Sequence, residues 1–417
     1  MARKALNEMN FKGKTVLMRV DFNVPLKDGV IGDDGRIQAA LPSIKRVLED
    51  DARLVLMTHL GRPKGAFAEE FSLKPVARAL SELLSRPVTL GPSDVVGEDT
   101  SALVGKMNPG DVVLLENLRF HAGETLPDKA KKNPDGKLTP EQGAQHQEFV
   151  EALASLGDAY VNDAFGTCHR KHASMYGVAK ALKERGEPVV AGFLVEKEIR
   201  YLHEAVADPK RPFIAILGGA KVSDKIKLIE TLLDKVDGII IGGAMAYTLL
   251  KAKGTEVGKS LVEEDQVETM KGLLDRAKGK IHLPVDHIAT DDFAAGAPVV
   301  VNEQSIPENL MGMDIGAHTV EQFEELISHA GTVVWNGPMG VFERNEYANG
   351  TLAVATALAN ATDKGAVTVI GGGDSASAVK KMGLDQRMTH VSTGGGASLT
   401  YLEGKPMPAI DVLNTED

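Results

Sequence analysis

Short, almost continuously apolar runs punctuate this chain, separated by stretches in which apolar positions recur every three or four residues. The runs are "TVLMRVDF", "RLVLMTHL", "DVVLLENL", "AYVNDAF", "VVAGFLV", "PFIAILGG", "GIIIGGAM", "IHLPVDH", "TVVWNGP", "AVTVIGGG" and "THVSTGGG". Unbroken rather than alternating apolarity predicts strands covered on both faces. Segments such as "SLKPVARALSELLS" and "SDKIKLIETLLDKV" carry the helical period. Alternation of the two predicts an α/β protein with mostly parallel sheets sandwiched by helices. Eleven strands exceed what one doubly wound sheet holds comfortably, so two units of five or six are expected.

The pattern also offers a join. "VEKEIRYLHEAVADPKRP" (195–212) sets Ile199, Leu202 and Val206 on one helical face, and Asp208-Pro209 then breaks the helix. Such a helix either carries the chain from one domain into the next or is an ordinary crossover, and pattern alone leaves both open. The polar stretch 127–147 reads as a surface excursion with a Pro-Asp-Gly turn at 134–136. Neither an internal repeat nor a low-complexity tract is present.

Length changes the picture little: 417 residues make two domains the default. A net charge of −11 argues against sequence-independent nucleic-acid binding, which needs a basic surface. The one cysteine, Cys168, has no partner for an intramolecular disulfide, which fits a reducing compartment. The first twenty residues hold no signal-like apolar region, and no apolar run approaches ~18 residues. A cytoplasmic protein without membrane or nucleic-acid partners is expected.

Ligands of open parallel sheets bind beyond the carboxyl ends of the strands. In the second half those ends are "GGAKVSDK", "GGAMA", "NGPMGVFE", "GGGDSAS" and "STGGGAS". Glycine lets a ligand reach the backbone, and the next helix presents free N–H groups and a positive dipole end, a combination suited to phosphate. One Gly-Gly after a strand is commonly just a tight turn; four or five such glycine-bearing ends in one half make a nucleotide-phosphate site the better reading. The first half ends its strands with "DFN", "HLGR", "NLRF" and "DAFGTCHRKH". Arginine and histidine there suit a small, strongly anionic molecule. A nucleotide domain beside a small-anion domain is the layout of a transferase.

Several familiar motifs fail. "GTEVGKS" (254–260) is one residue short of a Walker A loop and follows a helical pattern. No G-x-G-x-x-G follows the first strand, and no G-x-S-x-G elbow exists. "CHRKH" lacks a second cluster to complete a structural zinc site. Cys168, beside Arg170 and Lys171, has either an acidified thiol or a purely structural role.

Eight stretches, in order, carry a resemblance over essentially the whole chain: "MRVDFNVPL", "THLGRP", "LLENLRFH", "VNDAFGTCHR", "AILGGAKVSDK", "VVWNGPMGVFE", "IGGGDSA" and "HVSTGGGASL". The sequence closely resembles the phosphoglycerate kinases. The resemblance implies reversible phosphoryl transfer from 1,3-bisphosphoglycerate to ADP, giving 3-phosphoglycerate and ATP with Mg²⁺. It implies a monomer of two Rossmann-like domains across a cleft: 1–194 for phosphoglycerate, 195–207 as the joining helix, and 208–403 for the nucleotide. The tail 404–417 would return to the first domain.

By the same resemblance Asp21 and Asn23 bind the glycerate, with Phe22, Leu60 and Gly61 beside them. His59, Arg62, Arg119 and Arg170 hold its phosphate, and Arg36 lies at the transferring group. Lys221, Lys225, Gly243, Gly312, Glu343 and the run Gly372, Gly373, Asp374, Ser375 take the nucleotide, with Asp374 serving Mg²⁺. Arg36, Lys225 and Gly373 are the expected catalytic set. Ala244, Met313 and Ala317 depart from common family residues and bear on nucleotide affinity.

Phosphoryl transfer between a carboxylate and ADP needs no general base, because the attacking oxygens are already ionised; positioning and charge stabilisation carry the reaction. That accounts for the absence of a triad. Excluding water from an acyl phosphate points to domain closure, with bending expected in the 195–207 helix and near Thr393-Gly394. Another small-molecule kinase, or a sensor of a phosphorylated metabolite that does not turn it over, remain the alternatives.

Overall fold

The computed structural model describes residues 5–133 and 136–413. Pro134 and Asp135 of the expected turn and the last four residues of the expected tail lie outside them. The chain divides into two compact units: one holds the described residues up to Ile199 and those from Pro406 on, the other is Arg200–Lys405. The division falls inside the helix Phe193–Ala207.

In the first unit β1 (Thr15–Val20), β2 (Arg53–Met57), β3 (Val88–Leu90), β4 (Val112–Leu114), β5 (Ala159–Asp163) and β6 (Val189–Ala191) form an all-parallel sheet. The order is β3-β4-β2-β1-β5-β6, so strand order reverses beside β1. In the second unit β7 (Phe213–Leu217), β8 (Gly238–Ile241), β9 (Ile281–His282), β10 (Thr332–Asn336), β11 (Val367–Gly371) and β12 (His390–Val391) are likewise all parallel. Their order is β9-β8-β7-β10-β11-β12, the doubly wound arrangement with its switch point between β7 and β10.

All eleven apolar runs are strands. The twelfth, β3, has only three residues, half-exposed or exposed at the sheet edge, which is why its apolar signal is weak. A second departure is a small antiparallel sheet of His287–Thr290, Val299–Val301 and Met311–Ile315.

β1, β7, β8 and β10 are buried at every position. Each fully buried Val, Leu or Ile contributes about 1.5–3 kcal/mol, so the two sheet cores hold the strand ends firmly. Trp335, fully buried in β10, donates its indole N–H to Gly337 O at 2.7 Å and pins the chain where it leaves the strand. The short helix Pro408–Asp411 is tied to the first unit: Asn162 Nδ2 donates to Ala409 O at 3.0 Å, and Ala409 N donates to Cys168 O at 3.2 Å. Cys168 is fully buried, and burial pushes its thiol up to about 12. Of its two readings the structural one holds.

Asp163, at the end of β5, accepts hydrogen bonds from Leu194 N and Val195 N at the start of the Phe193–Ala207 helix. Complete burial nevertheless pushes its carboxyl up to about 7, with Ser43 and the two backbone donors opposing the shift. A folded-state value above the unfolded one means stability that is full below about pH 4 and lost as pH rises towards about pH 7. The stability advantage of wild type over Asp163→Asn is therefore expected to shrink between pH 5 and pH 8 in urea titrations. A pH-independent difference would place the ionisation elsewhere.

Candidate functional site

Carboxyl ends of neighbouring strands bring one group of residues together in the first unit. Asp21, Phe22 and Asn23 follow β1, His59, Leu60 and Gly61 follow β2, and Asn117 and Arg119 follow β4. Asp21 Oδ2 accepts from Arg36 Nη1 at 2.5 Å, and Arg36 opens the helix Gly35–Leu48. Asn23 Oδ1 accepts from Gly61 N at 2.9 Å, while Arg119 Nη1 donates to Gly61 O at 2.8 Å. Asn117, buried, holds the β2 and β4 ends together through Leu60 N, Leu60 O and Arg119 N.

Phe22 and Leu60 turn their side chains into the core, so only their backbone is available to a ligand. Arg62 is exposed on the same loop. A cavity of about 640 Å³ opens beside Asn23, Leu60 and Gly61.

The cations crowd one another. Burial, then Arg19, brings the Arg119 guanidinium down to about 10, against the opposing pull of Glu124 and Asp21. Burial, then Arg19, also holds His59 well below the usual imidazole value. Arg170 lies farther out, paired with Asp128 at 3.0 Å, and Asp128 also accepts from His172 Nε2 at 2.9 Å. Burial raises the Asp128 carboxyl, but His172 and Arg170 outweigh it and hold it well below the carboxylate range. Neighbouring positive charges held against their own repulsion make a site for a multiply charged anion.

The second unit builds its site from backbone. Loops after β7, β8 and β10 are stitched together by Gly218 N to Asn336 O, Gly219 N to Pro338 O and Gly243 N to Met339 O, at 2.9–3.1 Å. A side chain on Gly243 would strike the Gly219 backbone. Lys225, half-buried before the helix Ile226–Leu233, donates from Nζ to Asn336 Oδ1 at 2.6 Å. Burial lowers its ammonium pKa, opposed by Asp224, Asp374 and Glu403. Asn336 is 2% exposed, and its Nδ2 has no partner within the protein. Beside it the helix Gly373–Lys381 begins, with Asp374 exposed in its first turn. Ser375, fully buried, accepts from Gly337 N at 2.6 Å and locks that helix end to the β10 loop.

Lys225 and Gly372 thus meet at Asn336, and Gly373, Asp374 and Ser375 follow Gly372 in the first turn of the helix. Lys221 and Glu343 are exposed on neighbouring loops. Gly312 lies on the strand Met311–Ile315 with Tyr247 against its Cα, which explains the glycine by packing alone. Met313, next to it, is buried, and its carbonyl accepts from Val341 N at 3.0 Å.

Two adjacent glycines differ in what surrounds them. Gly372 has φ +86°, and a Cβ there would meet Asn336 Nδ2 at 2.7 Å. A Cβ on Gly373 would meet no protein atom within 4 Å. Gly372→Ala is expected to lower stability by about 1–3 kcal/mol. Gly373→Ala should leave the melting temperature in place yet weaken nucleotide binding about tenfold if the expected nucleotide phosphate uses that open space. Calorimetric unfolding and nucleotide titration of both variants check this, and unaltered nucleotide affinity in Gly373→Ala would count against a phosphate there.

Sequence reasoning placed Asn117 and Asn336 at the head of ligand-facing strand ends without assigning either a role, and it did not single out Arg19. A charge inside an apolar run, as in "TVLMRVDF", was the one available signal for Arg19. Among the described residues no cluster of three or more His, Cys, Asp or Glu could cage a metal ion, and no helix is long and apolar enough to cross a membrane.

A family model described as "Phosphoglycerate kinase" matches residues 6–405. Curated relatives of that name are 53% identical over 98% of both chains in Lactobacillus acidophilus, and 51% identical over 99% of this chain and all of the relative in Chloroherpeton thalassium. Among solved structures, the phosphoglycerate kinase of Coxiella burnetii superposes with a TM-score of 0.83 at 39% identity, covering 99% of each chain. That of Pyrococcus horikoshii gives 0.81 at 35% identity over 98% of each.

Proposed function

The chain belongs to the phosphoglycerate kinase family, and from that premise we infer that its arginine cluster and its glycine-lined helix end serve the two substrates of one transfer. The reaction is that of a phosphotransferase with a carboxyl acceptor in glycolysis. A phosphoryl group moves reversibly between 1,3-bisphosphoglycerate and ADP, giving 3-phosphoglycerate and ATP. The observation that carries the site assignment is the joining of Asp21, Asn23, Arg36, Gly61 and Arg119 at the carboxyl ends of β1, β2 and β4.

Under this reading Asp21 and Asn23 orient the glycerate, while His59, Arg62, Arg119 and Arg170 bind its distal phosphate. Arg36 supports charge on the transferring group from one side. Lys225 and the free N–H groups at Gly373 and Asp374 support it from the other. Transfer requires reacting oxygens at contact distance, so the reading includes closure of the units during turnover.

An exposed carboxylate beside a phosphate site fits Mg²⁺, which binds through one or two carboxylates together with substrate phosphates. Asp374 would hold it, and the ion would neutralise nucleotide oxygens. The protein is further proposed to be a cytoplasmic monomer that binds neither nucleic acid nor membrane.

A coupled assay with 1,3-bisphosphoglycerate, ADP and Mg²⁺ tests the activity, with small-angle scattering of the doubly liganded protein as the test of closure. Binding of both ligands without ATP formation would favour the sensor, and scattering without compaction would remove closure.

A further inference from the structure

Glu124 and Ser174 take no part in substrate contact as described above, yet both are fully buried. Glu124 closes the turn Ala122–Glu124, and Ser174 lies in the π-helical turn Ala173–Gly177. The carboxylate accepts twice from Ser174, from its backbone N at 2.9 Å and from its hydroxyl at 2.7 Å. With its proton committed to Glu124, the Ser174 oxygen accepts from Arg19 Nε at 2.9 Å. Arg19 is fully buried as well; its Nη1 donates to Val20 O, and its Nη2 lies 3.0 Å from His59 Nδ1.

That last contact has only one polarity. A guanidinium offers donors alone and keeps its proton inside proteins. His59 Nδ1 must therefore accept, which leaves the ring proton on Nε2. We propose that Glu124, acting through Ser174 and Arg19, fixes His59 as the neutral Nε2–H tautomer, so that His59 meets the phosphoglycerate as an uncharged hydrogen-bond donor. The substrate half of this proposal rests on the site reading above; the tautomer does not.

Surrounding charges agree with the geometry. Burial disfavours a charged imidazole, and Arg19, Arg119, His172 and Arg36 add to that effect. Asp21 Oδ1, an opposing anion, stands 4.0 Å from Nδ1, beyond hydrogen-bond reach, while Arg19 Nη2 lies at 3.0 Å. The arginines then supply the positive charge of the pocket, and His59 supplies direction. A buried guanidinium is costly unless it is hydrogen-bonded, and each of the three Arg19 nitrogens has an acceptor, Ser174 Oγ, Val20 O and His59 Nδ1, which engages three of its five N–H donors. Glu124, Ser174 and Arg19 are positioning residues in this scheme.

The test is long-range ¹H–¹⁵N spectroscopy of the full chain with ¹⁵N-labelled histidine, from about pH 6 to about pH 8. Expected are a bare His59 Nδ1 and a protonated Nε2 throughout, with Nε2 shifting when 3-phosphoglycerate is added. A proton on Nδ1, or a cationic ring near neutrality, overturns the proposal. A correct tautomer with an Nε2 indifferent to 3-phosphoglycerate overturns its substrate half.

In Ser174→Ala the two tautomers should mix, and KM for 3-phosphoglycerate should rise about tenfold while KM for ATP stays in place. An unmixed tautomer in that variant removes the relay. Glu124→Gln, which keeps the shape and drops the charge, is the second variant, and the wild-type spectrum decides the tautomer even if neither folds.

Discussion

Arg36→Ala is expected to lower kcat by about 10²-fold or more, the loss typical of removing one preorganised donor from a developing charge. The side chain is well placed for this. It projects from the first turn of Gly35–Leu48 and is held by buried Asp21 at 2.5 Å, so no ordering is needed at the moment of transfer. The guanidinium is about a third exposed, so little stability should go with it. Arg36→Lys separates charge from geometry: it restores a cation without the planar fork, and kcat should recover only in part. A kcat within a few-fold of wild type in Arg36→Ala would take Arg36 out of the transfer step.

Lys225→Met should cost about 10²–10³-fold in kcat, for the same physical reason on the nucleotide side. Lys225 and Asn336 form a unit, because the lysine occupies Asn336 Oδ1 and thereby orients Nδ2 as a donor. Removing the ammonium frees that amide to rotate, so one substitution disturbs two donors. KM for 3-phosphoglycerate should stay unchanged, since the residues proposed to bind the glycerate all belong to the other unit. Steady-state kinetics with each substrate varied in turn is the check. A rise in KM for 3-phosphoglycerate with kcat preserved would mean that Lys225 acts on binding of the wrong substrate for this mechanism.

Both predictions concern residues legible before any coordinates. Arg36 and Lys225 stand in stretches that resemble the family, and the glycine-rich strand ends pointed independently to phosphate. The partners that aim them were not legible. Asn336 sits in "VVWNGP" as one polar residue closing an apolar run, and its orphaned Nδ2 exists only because Lys225 and Gly372 meet it from other loops. Glycine itself was ambiguous in sequence. Gly373 leaves open space, whereas Gly312 and Gly243 are explained by Tyr247 and by the Gly219 backbone. Cys168 was equally undecided, and burial settled it.

Sequence by itself determined the two parallel sheets, eleven of their twelve strands and the chemistry offered at the strand ends. Those features depend on apolar period and turn residues, which act over a few neighbouring positions. Tertiary structure decided which strand ends lie side by side, and with them the meeting of Asp21 with Arg36, of Asn117 with two loops, and of Arg19 with both His59 and Ser174. Strand order and register set those contacts between residues up to 155 positions apart, and no local pattern encodes such a separation.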